Sequence, residues 1–232
     1  MLGAQLESIR AAGIVLASSS PRRVDIINNI LGLGARVVPS TFPEDLDKSQ
    51  FSPRDYVAEN ARRKALEVYE RLEHDEGIRP SLVIGADTVI DFGGRILEKP
   101  KSEDAACEML ASLSGKTHYV RTGVALIYAP LDASGTAKVD SFVEVSEVRF
   151  AVLTPEVIAE YVRSGEPMDK AGSYGIQGLG GSFVSGINGC YHSVVGFPMH
   201  RFCANLDCAH VAASAARISD GTFAPARRQR LS

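Results

Sequence analysis

Short apolar stretches alternate with amphipathic ones along most of the chain, as in proteins built from alternating strands and helices. Residues 82–90 are apolar at nearly every position rather than at every second one, which is typical of a central strand covered on both faces. The strands predicted from these patterns cover 14–17, 36–38, 82–90, 95–98, 118–129 and 139–152. Helices are predicted over 21–31, 53–73, 103–113 and 155–164, and from 199 onwards.

Capping and turn residues define the ends of these elements. Ser20-Pro21 and Ser52-Pro53 each place a serine cap before a proline at the first helical position. Gly93-Gly94 predicts a hairpin turn, and Asn188-Gly189 predicts a second one after a glycine-rich loop over 171–181. The chain has no internal repeat and no shift in composition. The fold class predicted from these features is α/β with a mixed sheet.

Composition supports one globular domain and argues against several classes of partner. The 232 residues are 45% hydrophobic and 23% charged, which is enough for a sizeable core. A net charge of -3 does not favour nucleic acid, whose binding proteins usually present a basic face. No run approaches the roughly 20 apolar residues of a membrane helix. We therefore predict a single domain over 1–210 with neither nucleic acid nor membrane as partner, and a disordered, arginine-rich tail over 211–232.

The cysteines and histidines are spaced unlike those of metal or disulfide frameworks. The four cysteines form no CxxC pair, and the five histidines form no HExxH motif. No signal peptide is recognisable, because the first apolar run is short and its positive charges follow it. These patterns predict reduced thiols, no zinc site and a cytoplasmic protein.

The junction between the first strand and the first helix is suited to bind phosphate. It reads Ser18-Ser19-Ser20-Pro21-Arg22-Arg23. Arginines in a first helical turn are mildly unfavourable unless an anion joins them, because the helix N-terminus is itself partly positive. Hydroxyls, backbone amides and two guanidinium groups together predict a phosphate site. The alternative is a capped helix with two solvated arginines.

Two charged residues fall at positions that are otherwise apolar. Lys64 lies on the helical stripe that also carries Val57 and Val68, so it must snorkel to solvent, pair, or reach into a cleft. Asp87 interrupts the central strand, where an ionised carboxylate needs a partner or a metal ion. A site carboxylate is predicted there, with a structural salt bridge as the alternative. Glu98-Lys99 ends the partner strand of the hairpin, so a second carboxylate and cation are predicted nearby.

The segment Tyr174-Gly175-Ile176-Gln177-Gly178-Leu179-Gly180-Gly181 is the fourth unusual feature. Its glycines permit positive φ and a close approach of the backbone to a ligand. The Gln177 amide offers a donor and an acceptor, which suits recognition of a base edge or a phosphate. A flexible surface loop without a role is the alternative. Cations, carboxylates and a glycine-rich loop together point to phosphoryl transfer.

These segments resemble the Maf family of nucleotide pyrophosphatases from about residue 14 to 202. The motifs that carry the resemblance are Leu16–Arg23, Gly85–Val89, Leu97–Pro100, Leu113–Gly115, Asp169–Gly172, Tyr174–Gly178 and Val194–Pro198. The resemblance implies an elongated mixed β-sheet flanked by helices, with two lobes around a cleft, similar to inosine-triphosphate pyrophosphatases. Such enzymes are often dimeric, so a homodimer is expected.

The resemblance also implies hydrolysis of the α–β linkage of a nucleoside triphosphate with Mg²⁺ or Mn²⁺. It makes Asp87 a general base or a metal ligand, and Lys64 and Lys99 further catalytic groups. Glu98 and Glu44 are the further metal ligands it implies. The substrate-binding and specificity positions that it implies are Ser18, Arg22, Arg23, Thr88 and Gln177.

The family has a branch that acts on dTTP, UTP and some modified pyrimidine nucleotides, and another that prefers 7-methyl-GTP. The second branch carries a glutamate where this chain has Gln177, so the chain resembles the first. A nucleotide-sensing regulator of cell division with little turnover is the alternative. Other nucleotide-binding classes lack support, since the chain has neither a G-x-G-x-x-G segment between strand and helix nor a P-loop motif.

Overall fold

A seven-stranded mixed sheet runs through the protein. The computed structural model of the chain describes residues 6–75, 79–131 and 135–219. The strands are β1 (Ile14–Leu16), β2 (Arg36–Val37), β3 (Leu82–Phe92), β4 (Arg95–Leu97), β5 (Thr117–Tyr128), β6 (Lys138–Phe150) and β7 (Val184–Asn188). Their order is β2-β1-β3-β5-β6-β7, and β4 pairs with β3. The pairs β1–β2 and β1–β3 are parallel and the others antiparallel, which confirms the predicted mixed sheet.

Helices flank this sheet. They are α1 (Leu6–Arg10), α2 (Pro21–Val24), α3 (Pro53–Asp75), α4 (Glu103–Leu113), α5 (Pro155–Arg163), α6 (Tyr191–Val195), α7 (Met199–Asn205) and α8 (Cys208–Ser219). A π-helix, Asp25–Ile30, continues α2. Ser102 and Thr154 cap α4 and α5 with their side-chain oxygens, whereas Ser20 precedes α2 without a side-chain cap bond. No helix among the described residues is both long and apolar enough to cross a membrane.

The longest helix, α3, lies close against the central strands because two glycines face it. A Cβ added at Gly85 on β3 would collide with the carbonyl oxygen of Ala61 and lie 2.8 Å from the Cβ of Ala65. A Cβ at Gly123 on β5 would meet the backbone of Val57 in the same way. Because these two positions lack side chains, α3 can approach the sheet closely, and its inward-facing residues contact β3.

Two apolar cores lie at opposite ends of β3 and β5. One joins β1 and the ends of these strands to Phe197 and Phe202, and includes Val211 of α8. The other packs α4 and α5 around Phe150 and Tyr161. Side chains between the two cores line a cleft, so the structure has the predicted division into two lobes.

Two predictions about the C-terminal third are wrong. Asn188-Gly189 does not turn a hairpin, because β7 pairs with β6 and the chain continues into α6. Gly189 instead packs against Ser146, whose hydroxyl accepts a hydrogen bond from the Cys190 amide. The boundary predicted at 210 falls inside α8, since Val211 is buried in the first core. The remaining part of the predicted tail, 220–232, lies outside the described residues.

Candidate active site

The cleft between the lobes has a volume of about 860 Å³. It contains all ten residues that the sequence singles out, although they come from segments far apart in the chain. The predicted site residues that line it are Ser18, Arg22, Arg23, Glu44, Lys64, Asp87, Thr88, Glu98, Lys99 and Gln177. Their roles stay predictions, but their convergence in one cleft is a structural fact.

The Lys64 ammonium lies at the centre of the cleft between two carboxylates. It projects from α3 and donates hydrogen bonds to Asp87 Oδ1 on β3 at 2.9 Å and to Glu44 Oε2 at 2.5 Å. Lys64 and Asp87 are each only 7% exposed, so the alternative that Lys64 snorkels into solvent is wrong. Glu44 is more exposed and holds a left-handed backbone with φ 55°. Asp87 thus forms a salt bridge, as the structural alternative holds, and the same pair also lines the cleft, as a site carboxylate would.

Arg23 ties together the wall of the cleft beside this centre. Its Nε donates to the carbonyl oxygen of Gly196 at 3.0 Å. Its two terminal nitrogens donate to Ser18 Oγ at 3.3 Å and Thr88 Oγ1 at 3.1 Å. Burial lowers the pKa of Arg23, while the charges of Asp87 and Glu44 act in the opposite direction. Arg23 is thus engaged with protein groups through every nitrogen of its guanidinium.

Arg22 behaves differently from its neighbour because it reaches across the cleft to the other lobe. Its Nη1 lies 3.1 Å from Asp169 Oδ2, and both side chains retain access to solvent. The Lys170 ammonium also contacts Asp169, at 2.5 Å. Burial works to raise the pKa of Asp169, but hydrogen bonds from Lys170 and Arg22 outweigh it, so the pKa lies below its ordinary value. The alternative of a fully solvated Arg22 is wrong.

Glu98 lies at the end of the cleft in a short chain of hydrogen bonds. Its Oε1 accepts from the Tyr56 hydroxyl at 2.7 Å and its Oε2 from Lys48 Nζ at 2.5 Å. Burial and then the hydrogen bond to Glu98 raise the pKa of Tyr56. Lys99 is exposed and makes no ion pair within the parts of the chain that the structure describes. It is therefore available to an anion.

The glycine-rich segment forms the far wall of the cleft and is fixed at several points. Tyr174 is buried, with its hydroxyl 2.9 Å from His118 Nε2. The carboxylate of Glu166 accepts hydrogen bonds from the amides of Leu179 at 2.9 Å and Gly180 at 3.2 Å. Gln177 lies between these anchors with its side chain exposed. These bonds contradict the alternative of a flexible surface loop.

Several residues that shape the site were not predicted. Tyr56 lies on the buried stripe of α3, where an aromatic residue is indistinguishable from an ordinary core residue. Glu166 and Asp169 lie in a 3₁₀ turn that the sequence pattern does not resolve. The one sequence signal for Asp169 was its place in the motif Asp169–Gly172. Its pairing with Arg22 could not be predicted, because the two residues lie 147 positions apart along the chain.

Comparisons with known proteins agree on one family. The sequence model described as "Maf-like protein" matches residues 13–209. A Clostridium perfringens protein named "dTTP/UTP pyrophosphatase" is 47% identical over 194 residues, covering 84% of this chain and 95% of that protein. A Thermococcus onnurineus protein of the same name is 47% identical over 186 residues, covering 80% and 92%.

A human protein named "Probable bifunctional dTTP/UTP pyrophosphatase/methyltransferase protein" is 49% identical over 195 residues. The match covers 83% of this chain but only 31% of the human protein. Two solved structures show a weaker overall likeness. The Staphylococcus aureus Ham1 protein gives a TM-score of 0.35 at 16% identity, over 60% of this chain and 72% of that one. A Mycobacterium abscessus nucleoside-triphosphatase / dITP/XTP pyrophosphatase gives 0.37 at 15%, over 89% and 97%.

Proposed function

The chain belongs to the Maf family, and on this premise we propose that it hydrolyses dTTP and UTP to the monophosphate and pyrophosphate. One observation carries the proposal: a single cleft unites the buried Asp87–Lys64 pair, the further cations Arg22, Arg23, Lys99 and Lys170, and an ordered glycine-rich wall. Relatives whose names give this activity align with most of the chain. Modified pyrimidine nucleotides are further candidate substrates.

The cations of the cleft would bind the triphosphate. Lys99 is exposed and Arg22 is partly exposed in its pair with Asp169, so a phosphate group can reach both. Guanidinium groups bind phosphate oxygens through two parallel hydrogen bonds, and an ammonium adds a compact charge. Together with Lys64 they would draw negative charge off the triphosphate as the α–β linkage breaks. Such catalysis depends mainly on positioning and electrostatic stabilisation.

Asp87 is the proposed proton acceptor. Its carboxylate would take a proton from the water whose oxygen bonds to the α-phosphorus. The bond between that phosphorus and the bridging oxygen breaks, and pyrophosphate leaves with the electron pair. Lys64, at 2.9 Å, compensates the charge of the carboxylate and fixes its direction. A base must lie within hydrogen-bond reach of its proton, and the position of Asp87 in the lining of the cleft supports this role.

The acidic residues also fit a divalent cation that arrives with the substrate. Asp87 and Glu44 direct one oxygen each at the same ammonium, so their carboxylates converge. Among the described residues, no group of three or more metal-ligating side chains is preassembled. Mg²⁺ is commonly held by one or two carboxylates plus substrate phosphates, so this donor set fits Mg²⁺ or Mn²⁺. When bound, the ion would neutralise phosphate charge. Glu98 is less suited than Asp87 and Glu44 as a metal ligand, because its two oxygens already accept hydrogen bonds from Tyr56 and Lys48.

Base recognition is proposed for the glycine-rich wall. Uracil and thymine expose a carbonyl, an N–H and a second carbonyl along one edge. An amide side chain offers both a donor and an acceptor, so Gln177 and neighbouring backbone groups can pair with that edge. The exposed side chain of Gln177 in the cleft lining supports this assignment.

We also propose that the protein is a cytoplasmic homodimer. Its four unpaired cysteine thiols support a reducing compartment.

The decisive experiment separates the products of several nucleotides. Purified protein is incubated with Mg²⁺ and, in separate samples, dTTP, UTP, CTP, GTP and 7-methyl-GTP, and pyrophosphate and orthophosphate are quantified separately. We expect pyrophosphate from dTTP and UTP. Product mainly from 7-methyl-GTP would overturn the pyrimidine assignment. Tight nucleotide binding without turnover would favour the regulator of cell division.

A pair of variants tests Asp87 within the same assay. Asp87→Asn should lower kcat by a factor on the order of 10²–10⁴, the usual contribution of general acid–base catalysis. Asp91→Asn is the matched control, because Asp91 lies on the same strand and is likewise buried in an ion pair, with Arg121 at 2.6 Å. Asp91 does not line the cleft. Near-normal kcat in folded Asp87→Asn protein would eliminate Asp87 as the base.

A further inference from the structure

The carboxylate of Glu166 lies directly behind the wall that carries Gln177. Its Oε1 accepts hydrogen bonds from the Tyr161 hydroxyl at 3.0 Å and the Gly180 amide at 3.2 Å. Its Oε2 accepts from the Leu179 amide at 2.9 Å. Three donors from α5 and the glycine-rich segment thus meet one ionisable side chain. Hydrogen bonds to an ionised acceptor are roughly twice as strong as neutral ones, so this is a strong anchor.

The glycines on both sides of Gln177 pack onto this anchor. A Cβ added at Gly178 would lie 2.5 Å from both carboxylate oxygens of Glu166, and one at Gly175 would lie 3.3 Å from Oε1. The Gly175 amide donates to the Tyr161 hydroxyl at 3.3 Å. Residues 175–180 therefore wrap around the carboxylate and the phenol, and a methyl group at Gly178 would push the Glu166 carboxylate out of its place.

The same turn is braced on its other side. Lys170 donates to the backbone carbonyl of Glu166 at 2.7 Å and contacts Asp169 at 2.5 Å. Asp169 in turn holds Arg22 across the cleft. Glu166 thus lies where the glycine-rich wall meets the turn that holds Arg22, while both of its carboxylate oxygens accept hydrogen bonds from protein donors.

We propose that Glu166 is a positioning residue that sets base selectivity, because it fixes residues 175–180 and therefore the place where Gln177 meets the base. The inference rests on the proposed function. UTP and CTP share their triphosphate and sugar, so a displaced wall changes discrimination between these two bases more than it changes binding of the shared parts. Glu166→Gln retains shape but replaces one acceptor oxygen by an NH₂ group, which opposes an amide N–H donor.

The test uses equilibrium binding, which does not depend on turnover. The probes are the α,β-methylene analogues of UTP and CTP, whose α–β linkage resists hydrolysis, with hydrogen exchange measured over residues 171–183. We expect Glu166→Gln to lower the UTP/CTP affinity ratio about tenfold, in line with the loss of one charged hydrogen bond. Affinity for the CTP analogue should change less than about twofold, and exchange at Leu179 and Gly180 should accelerate.

Two further variants guard against loss of the fold. Tyr161→Phe removes one donor to Glu166 and the acceptor of the Gly175 amide but leaves the Leu179 and Gly180 amides on the carboxylate, so it should shift the ratio in the same direction by less. Glu160→Gln, an exposed carboxylate on α5, should change neither readout. Equal weakening of both analogues, unchanged exchange in Glu166→Gln, or a wild type that does not prefer UTP over CTP would overturn the inference. If the wild type prefers the UTP analogue but releases no pyrophosphate, the proposed function is refuted and the inference about Glu166 is not.

Discussion

Acid should destabilise the protein through a single buried histidine. His118 on β5 is 1% exposed and packs edge-on against Phe150 and Tyr174. Its Nε2 lies 2.9 Å from the Tyr174 hydroxyl, and its Nδ1 has no hydrogen-bond partner among the described residues. Burial lowers the pKa of His118 to about 4, because the charged imidazolium would lose its hydration.

The direction and size of the effect follow from proton linkage. The pKa of a histidine in the unfolded chain is about 6.5, so between pH 6.5 and 4 the unfolded state binds more protons than the folded one. The contribution of neutral His118 is therefore fully present above pH 6.5 and falls as the pH drops. The complete loss amounts to about 3 kcal/mol, and about 2 kcal/mol of it falls between pH 7 and pH 5.

Urea unfolding at pH 7 and pH 5 measures this loss. The free energy of unfolding of the wild type should fall by about 2 kcal/mol more than that of His118→Gln, which retains a polar partner for Tyr174 but cannot titrate. His200→Gln removes an exposed histidine and should follow the wild type. Equal pH dependence in the wild type and His118→Gln would refute the assignment of the loss to His118.

Three other changes test the packing and charges of the cleft. Gly85→Ala places a methyl group against Ala61 of α3 and should cost about 1–3 kcal/mol in urea unfolding, as overpacking does; an unchanged midpoint would contradict the contact. Asp169→Asn releases Arg22 for phosphate and should lower KM for UTP by about two- to fivefold, the worth of an exposed ion pair; a higher KM would show that Asp169 helps binding. Glu44→Gln should raise the Mg²⁺ concentration for half-maximal activity about tenfold or more, measured by metal titration; an unchanged requirement would exclude Glu44 as a ligand.

Local patterns predicted most of the sheet because they report burial directly. The continuous apolar run of β3 is buried at nearly every position, as a central strand demands. The wrong hairpin at Asn188-Gly189 shows the limit of turn chemistry. This dipeptide permits a tight turn, but the packing of Gly189 on Ser146 and the pairing of β7 with β6 decide the path of the chain. Tertiary contacts thus override the turn preference of this dipeptide.

Some residues of the candidate site could likewise be predicted from the sequence, and others could not. Lys64 and Asp87 were detectable because each places a charge where its element should be apolar. Glu166 was not, since a glutamate after a helix is ordinary in sequence and its contacts with the wall come from amides 13 and 14 residues later. Tyr56 looks like core, and only the structure shows its hydroxyl on Glu98. Long-range hydrogen bonds to common residues leave no local trace.

The charges of the cleft are paired with unequal strength, and this inequality orders what a substrate can displace. The Lys64–Asp87 pair has side chains only 9% and 10% exposed, and separating such a buried pair costs about 3–5 kcal/mol. Arg22 and Asp169 are 28% and 59% exposed, and a pair of that kind contributes about 1 kcal/mol at most. A triphosphate therefore displaces Asp169 from Arg22 far more readily than it separates Lys64 from Asp87. We expect Arg22 to exchange its carboxylate for phosphate while Lys64 stays on Asp87, which keeps the proposed base oriented throughout binding.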